Sequence, residues 1–294
     1  MERSCALFSS CTEKRALVFE KNEFKILECR KCNHRFLEIR DPENHVELVY
    51  SDDYFFAGQH GYPNYLEEKD ILYKTGQWYA KLISKHAKPG KVLDVGCAAG
   101  FILKGFESAG WECRGIEPND TMAEYGRSEL KLPITTGSLE NFEIQEKFSL
   151  ISLIQVVGHF YDIDAALEKI SRMLTNDGLV LVESWNMKSA MAKILGKHWH
   201  EYSPPSVVHW FSDRTLTQLF NFHGFELVGK GLPIKRISLS HALSLFKEKT
   251  PGFVFKEWVF NFLDRSVGNA TLIYPPFDVK WYIFRRKAER SLNK

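Results

Sequence analysis

Residues 92–105 read VLDVGCAAGFILKG: an apolar strand closing on an acid, a glycine-bearing turn, and the first residues of an amphipathic helix. In an open parallel sheet such a turn is a ligand position, because glycines let a ligand approach the backbone and the helix N-terminus faces it. Gly96 and Gly100 bracket this turn. A dinucleotide fingerprint would need glycines at 96, 98 and 101, where the chain has Gly96, Ala98 and Phe101. A phosphate-binding loop is excluded as well, since no Gly-Lys-Ser/Thr follows. The methyl group of Ala98 predicts ordinary L-residue dihedrals and a slightly wider turn than three glycines would give.

Outward from this stretch, strands and helices alternate. KVLDV is the first strand, FILKGFESAG a helix closed by Gly110, WECRGIEP a strand, and NDTMAEYGRSEL a helix. PITTG and FSLISLIQVV are strands three and four. DIDAALEKISRML sets Ile163, Ala166, Leu167, Ile170 and Leu174 on one helical face before GLVLVESW, strand five. Ser212 caps the helix SDRTLTQLFNFHG, Gly224 stops it, FELVGKG is strand six, and DVKWYIFRRK is the last. The pattern predicts an α/β fold, a doubly wound, Rossmann-like seven-stranded sheet, with a small N-terminal cysteine-containing ribbon module. The expected divisions are a ribbon-like module over 1–50, a linker and helix over 51–90, and the core over 91–235. An aromatic lid is inserted at 186–211, and 236–294 holds amphipathic helices over 237–268 and the final strand.

The 294 residues carry 39 basic against 37 acidic side chains, a net charge of +2, so no global field favours nucleic acid or an anionic membrane. No apolar run approaches the roughly 18 residues of a membrane span, and MERSCALFSSCTEKR has too short an apolar stretch for a secretory signal. A cytoplasmic protein is expected, whose cysteines are thiols or metal ligands. Cys29 and Cys32 form one C-x2-C pair, and Cys5 and Cys11 a looser C-x5-C pair. Together they are the expected zinc set, with His34 able to replace one thiol. The phenylalanines and Trp258 between 246 and 262 suit core packing, a homodimer interface or a lipid-facing surface.

The core closely resembles the class I S-adenosylmethionine-dependent methyltransferases. Their first motif, an acid followed by G-x-G-x-G, matches DVGCAAG except at Ala98, and their second, an acid ending strand two, matches Glu117, 21 residues past Gly96. The likeness covers residues 91–185 well and runs more loosely to both ends, where the C-x-x-C pair, YSDDYFF and WHEYSPPSVVHWFS resemble methyltransferases of small molecules and glycans that begin with a zinc ribbon. It implies an S-adenosyl-L-methionine site made by Asp94, Gly96, Cys97, Gly100, Glu117, Pro118, Ser138, Leu139 and Gln155. Glu117 would hold the ribose, and Ser138 and Leu139 would flank the adenine. LIQVVGHF resembles the family's V-L-E-H-V segment, with Gly158 in place of the usual acid and His159 retained.

The expected chemistry is in-line attack on the sulfonium methyl by a small-molecule, sugar, glycan or lipid-linked acceptor, with O-methylation favoured. His159 is the first choice of base and His209 the second. His198, His200 and Tyr202 suit lid packing. Two rival readings remain open. An RNA methyltransferase would use His34, Arg30, Lys31 and Arg35 on phosphates, against which stand the near-zero net charge and the aromatic lid. A non-catalytic cofactor-binding relic is suggested by Ala98 and Gly158.

Overall fold

The computed structural model describes residues 15–38, 49, 65–142, 145–238, 271–274 and 278–287. The chain opens on an antiparallel meander, β1 (Arg15–Lys21), β2 (Phe24–Cys29) and β3 (Arg35–Leu37). Then come α1 (Lys69–Ile83), β4 (Lys91–Val95), α2 (Phe101–Ser108), β5 (Glu112–Glu117), α3 (Asp120–Ser128) and β6 (Ile134–Thr136). β7 (Phe148–Ile154), α4 (Ile163–Met173) and β8 (Leu174–Trp185) complete the parallel part. The lid contains α5 (Ala190–Leu195) and β9 (His209–Trp210), and α6 (Asp213–Phe222) and β10 (Phe225–Gly231) follow it. The short pair β11 (Lys235–Ser238) and β12 (Thr271–Tyr274) precedes β13 (Val279–Arg286).

The main sheet has seven strands in the order β10-β13-β8-β7-β4-β5-β6. β8, β7, β4, β5 and β6 run parallel, while β13 enters antiparallel between β8 and β10. Parallel strands need both faces covered, and each face has its own apolar cluster. One joins Leu93, Ile151, Val180 and Val182 to α4 and α6 through Ile170 and Leu216; the other joins Val92, Leu150, Leu181 and Ile283 to α1 and α2 through Tyr79 and Phe106. The doubly wound expectation therefore stands, strand by strand.

Three features differ from the sequence reading. Residues 237–238 belong to β11, which pairs with β12, rather than opening a helix; 239–270, with the rest of the expected helices, lie outside the described residues. β3 pairs with β9, Arg35 opposite Trp210 and Phe36 opposite His209, so the lid supplies the fourth strand of the N-terminal sheet. Ala98 has φ +47°, so the turn does not restrict itself to ordinary L-residue dihedrals. An alanine there costs about 1–2 kcal/mol, and a hydrogen bond described below helps hold it.

Candidate functional site

The turn after β4 is built by backbone geometry. Gly96 and Gly100 have φ +67° and +85°, and Gly100 caps α2, which points its N-terminus out of the sheet. Gly96 and Cys97 both donate to the Ile116 carbonyl at 2.8 and 3.1 Å, which ties the turn to β5. Glu117, at the end of β5, accepts from Ala98 N–H at 2.7 Å and from Asn119 N–H at 2.9 Å. Asp94 accepts from Ser152 Oγ at 2.6 Å. Both carboxylates are buried, and burial pushes each up to about 7, against the pull of those donors. Neither has an ion-pair partner among the described residues. Two buried acids with only neutral donors suit a ligand that brings hydroxyl groups and positive charge, which is what S-adenosylmethionine carries. Cys97 is buried and its thiol is held well above the usual range, so it packs the turn. Pro118 follows Glu117, and Ser138 and Leu139 are buried in the turn after β6, which Gly137 N–H binds to the Glu117 carbonyl at 2.9 Å.

The turn after β7 lies against the first. A Cβ on Gly96 would stand 2.8 Å from Val156 Cγ2, so the two turns touch. Gln155 has φ +59°, its N–H donates to the Glu183 carbonyl at 2.9 Å, and its side-chain nitrogen donates to Glu183 Oε1 at 2.7 Å. The other oxygen of Glu183 accepts from the fully buried Tyr79 hydroxyl of α1. Gly158 is the point where the lid docks. Its carbonyl accepts from Val208 and His209 N–H, each at 2.9 Å, and a Cβ there would sit 3.0 Å from the His209 carbonyl oxygen. That contact leaves little room for a side chain at the position where the related segment carries an acid.

His159 is partly buried, and its Nδ1 lies 2.7 Å from the Ser206 carbonyl of the lid. A carbonyl only accepts, so Nδ1 carries the proton and Nε2 is the basic nitrogen. His159 lines a cleft with Gln155, Val157, Gly158, Glu183 and Trp185, and Glu201, His209 and Trp210 close it from the lid. His209 lines it too, but its ring is buried and hydrogen-bonded to His34 at 3.0 Å. Burial pushes His209 down to about 4 and His34 well below the usual histidine range, so both are neutral near pH 7. The predicted cofactor residues and His159 thus lie on the turns at the carboxyl ends of β4 to β7, and the two histidine rings sit in different surroundings, His209 against His34 and His159 against the Ser206 carbonyl. Sequence reasoning missed Glu183, Tyr79 and Ser206. Glu183 was detectable as an acid inside the apolar run GLVLVESW, whereas the contacts of Tyr79 and Ser206 are purely tertiary.

At the N-terminal sheet, Cys29 and Cys32 are buried, and Cys5 and Cys11 lie outside the described residues. Among the described residues no three His, Cys, Asp or Glu side chains are grouped to hold a metal, so a zinc site is not supported there. His34 is committed to His209 and Arg35 to Glu28 and Tyr202, which removes both from the set proposed for phosphates. Among the described residues no helix is long and apolar enough to cross a membrane.

A family profile described as "Methyltransferase domain" matches residues 66–230, more than half of the chain. The chain belongs to this family. Among curated proteins it is similar to a ubiquinone biosynthesis O-methyltransferase of Rhodopseudomonas palustris, 24% identical over 47% of this chain and 58% of the relative. A protein of the same name from Pelagibacter ubique is 25% identical over 62% of this chain and 70% of that relative. The chain spans about half the length of the first curated relatives it matches. In fold it is similar to the solved YcgJ protein of Bacillus subtilis, with a TM-score of 0.52 and 16% identity over 73% of this chain and 98% of the other. This methyltransferase domain accounts for α1 to β10; the first three strands precede the matched residues.

Proposed function

We propose that this chain is an S-adenosylmethionine-dependent methyltransferase that methylates a hydroxyl group of a small-molecule acceptor, free, sugar-borne or lipid-linked. The observation that carries the reading is His159, whose Nδ1 proton goes to the Ser206 carbonyl so that Nε2 is its basic nitrogen, in a cleft lined by residues of the turn that touches the glycine turn. The names of the curated relatives support oxygen as the accepting atom.

When bound, S-adenosylmethionine supplies an electrophilic methyl on a positive sulfur, so the protein chiefly aligns donor and acceptor and excludes water. Asp94 and Glu117 would face the donor's positive charge and hydroxyls, and Gly96 and Gly100 keep the backbone open to its approach. As the acceptor oxygen takes the methyl and the methyl–sulfur bond gives way, leaving the donor as a neutral thioether, His159 Nε2 would take the hydroxyl proton and the imidazolium would be held by the Ser206 carbonyl. Trp185 and Trp210 wall the cleft with apolar surface.

The test is to incubate the protein with methyl-tritiated S-adenosylmethionine and, separately, the small-molecule, RNA and protein fractions of a cell extract. Label should enter a product below about 1 kDa and persist under base that cleaves methyl esters. Label appearing only in RNA or protein fractions would overturn it.

A further inference from the structure

The cleft contains a carboxylate that the mechanism above does not use. Glu183 lies on β8, is 3% exposed, and is gripped from two sides. Its Oε2 accepts from the Tyr79 hydroxyl of α1 and its Oε1 accepts from Gln155 Nε2 at 2.7 Å. Burial, with Glu183 beside it, holds the Tyr79 phenol well above its usual range, so Tyr79 stays a donor. A carboxylate whose two oxygens both accept dictates which end of a neighbouring amide it meets: the nitrogen of Gln155 must face Glu183, and the carbonyl oxygen must face away. No described residue donates to that oxygen. Gln155 itself sits at φ +59°, a strained position for a residue other than glycine, one residue before the Val156 that touches Gly96.

Resting on the methyltransferase reading, we propose that Glu183 is a positioning residue that fixes the Gln155 amide with its carbonyl oxygen toward the reacting end of the donor, so that the site reads the positive charge there. Gln155 reaches the cleft from the turn in contact with the donor turn, and a carbonyl dipole stabilises a nearby cation while an amide NH2 opposes it. Glu183 acts only through Gln155. Its replacement by glutamine therefore has a defined consequence. Tyr79 still donates, so the new side chain gives its carbonyl to Tyr79 and its NH2 to Gln155. Gln155 must then turn its own oxygen inward and present NH2 to the donor.

The test needs no acceptor. Binding of S-adenosylhomocysteine, neutral at sulfur, and of sinefungin, with an ammonium-bearing carbon at that place, is measured by calorimetry for the wild type, Glu183→Gln and Tyr79→Phe. Glu183→Gln should lower the preference for sinefungin over S-adenosylhomocysteine at least fivefold, with S-adenosylhomocysteine affinity within twofold of wild type. Tyr79→Phe keeps the carboxylate and should keep the preference within twofold. An unchanged ratio in folded Glu183→Gln, or equal weakening of both ligands, overturns the proposal. If Glu183→Gln does not fold, Gln155→Met decides: loss of the preference supports the carbonyl's role and an unchanged ratio overturns it. Failure of the wild type to bind either compound would instead overturn the methyltransferase reading beneath it.

Discussion

Two turns lie in contact at the carboxyl ends of neighbouring parallel strands, and they are built on opposite plans. The turn after β4 is held by its own residues and by β5 next door: two positive-φ glycines, Ala98 in the same region, and Glu117 receiving the Ala98 N–H. The turn after β7 is held from afar. Ser206 reaches His159 across 47 residues, the lid backbone docks on Gly158, and Tyr79 reaches Glu183 across 104 residues. A donor common to a whole family can be met by local geometry, whereas an acceptor site differs between relatives and here is assembled from the lid and the helix before the core. In the proposed reading the first turn holds the donor and His159 on the second serves the acceptor, with Gln155 of the second turn reaching back to the donor, and each turn can be broken separately.

The largest effect is expected at His159. His159→Ala should lower kcat by about 10²–10⁴ with donor affinity nearly unchanged, because only proton removal is lost. Steady-state kinetics on the product found with the tritiated donor checks this, and a variant with full activity would deprive the second turn of its base.

Gly158 tests whether the lid depends on that turn. Gly158→Val places a side chain against the His209 carbonyl and should destabilise the protein by about 1–3 kcal/mol. Denaturant unfolding followed by the fluorescence of the buried Trp199 and Trp210 reads both the loss and any earlier release of the lid.

The buried acids of the first turn give a pH signature. Because the folded pKa of Asp94 lies at about 7, above its unfolded value, the ligand-free protein holds a proton there that the unfolded chain has already lost. Stability from this group is therefore present at low pH and declines as pH rises toward 7. The buried neutral histidines His34 and His209 act in the opposite sense, gaining unfolded-state protons as pH falls below about 6.5, so the whole protein's profile partly cancels. Comparing Asp94→Asn with wild type removes the histidines from the difference. The variant's stability relative to wild type should improve by about 2 kcal/mol between pH 5 and pH 8, measured by urea unfolding without ligand. A pH-independent difference would show that Asp94 is not a buried acid of raised pKa.

Ala98 carries the smallest expected effect. Ala98→Gly should change stability by less than about 1 kcal/mol, since relief of the left-handed backbone is partly offset by the greater freedom of glycine in the unfolded chain. Donor binding should persist in both forms; a wild type that binds only after Ala98→Gly would be a relic.

The same contrast marks what was legible in the sequence. VLDVGCAAG and GIEPN declare the first turn because its parts are close in the chain and each has a local backbone role. The seven strands were legible for the same reason, through periodicity and caps such as Ser212. His159 could be named but not oriented, since Ser206 has no sequence signature. His209 looked equivalent until His34, from the N-terminal sheet, was seen to bind its ring. Gly158 read as a lost acid and is a docking point, because the backbone that needs the space, the His209 carbonyl, lies 51 residues onward. Residues 237–238, the end of β11, were read as helix because the partner strand β12 begins 33 residues later, at Thr271, and a two-stranded pairing leaves little trace in periodicity.

The central claim, that the first turn holds the donor while His159 of the second serves only the acceptor, is tested most directly by calorimetric titration of S-adenosylhomocysteine into Glu117→Ala and His159→Ala. Loss of the charge-assisted hydrogen bonds should weaken binding to Glu117→Ala by about 1.5–3 kcal/mol, roughly 10- to 150-fold, while His159→Ala stays within twofold of wild type. Unchanged affinity in folded Glu117→Ala, or equal losses in both variants, would contradict it.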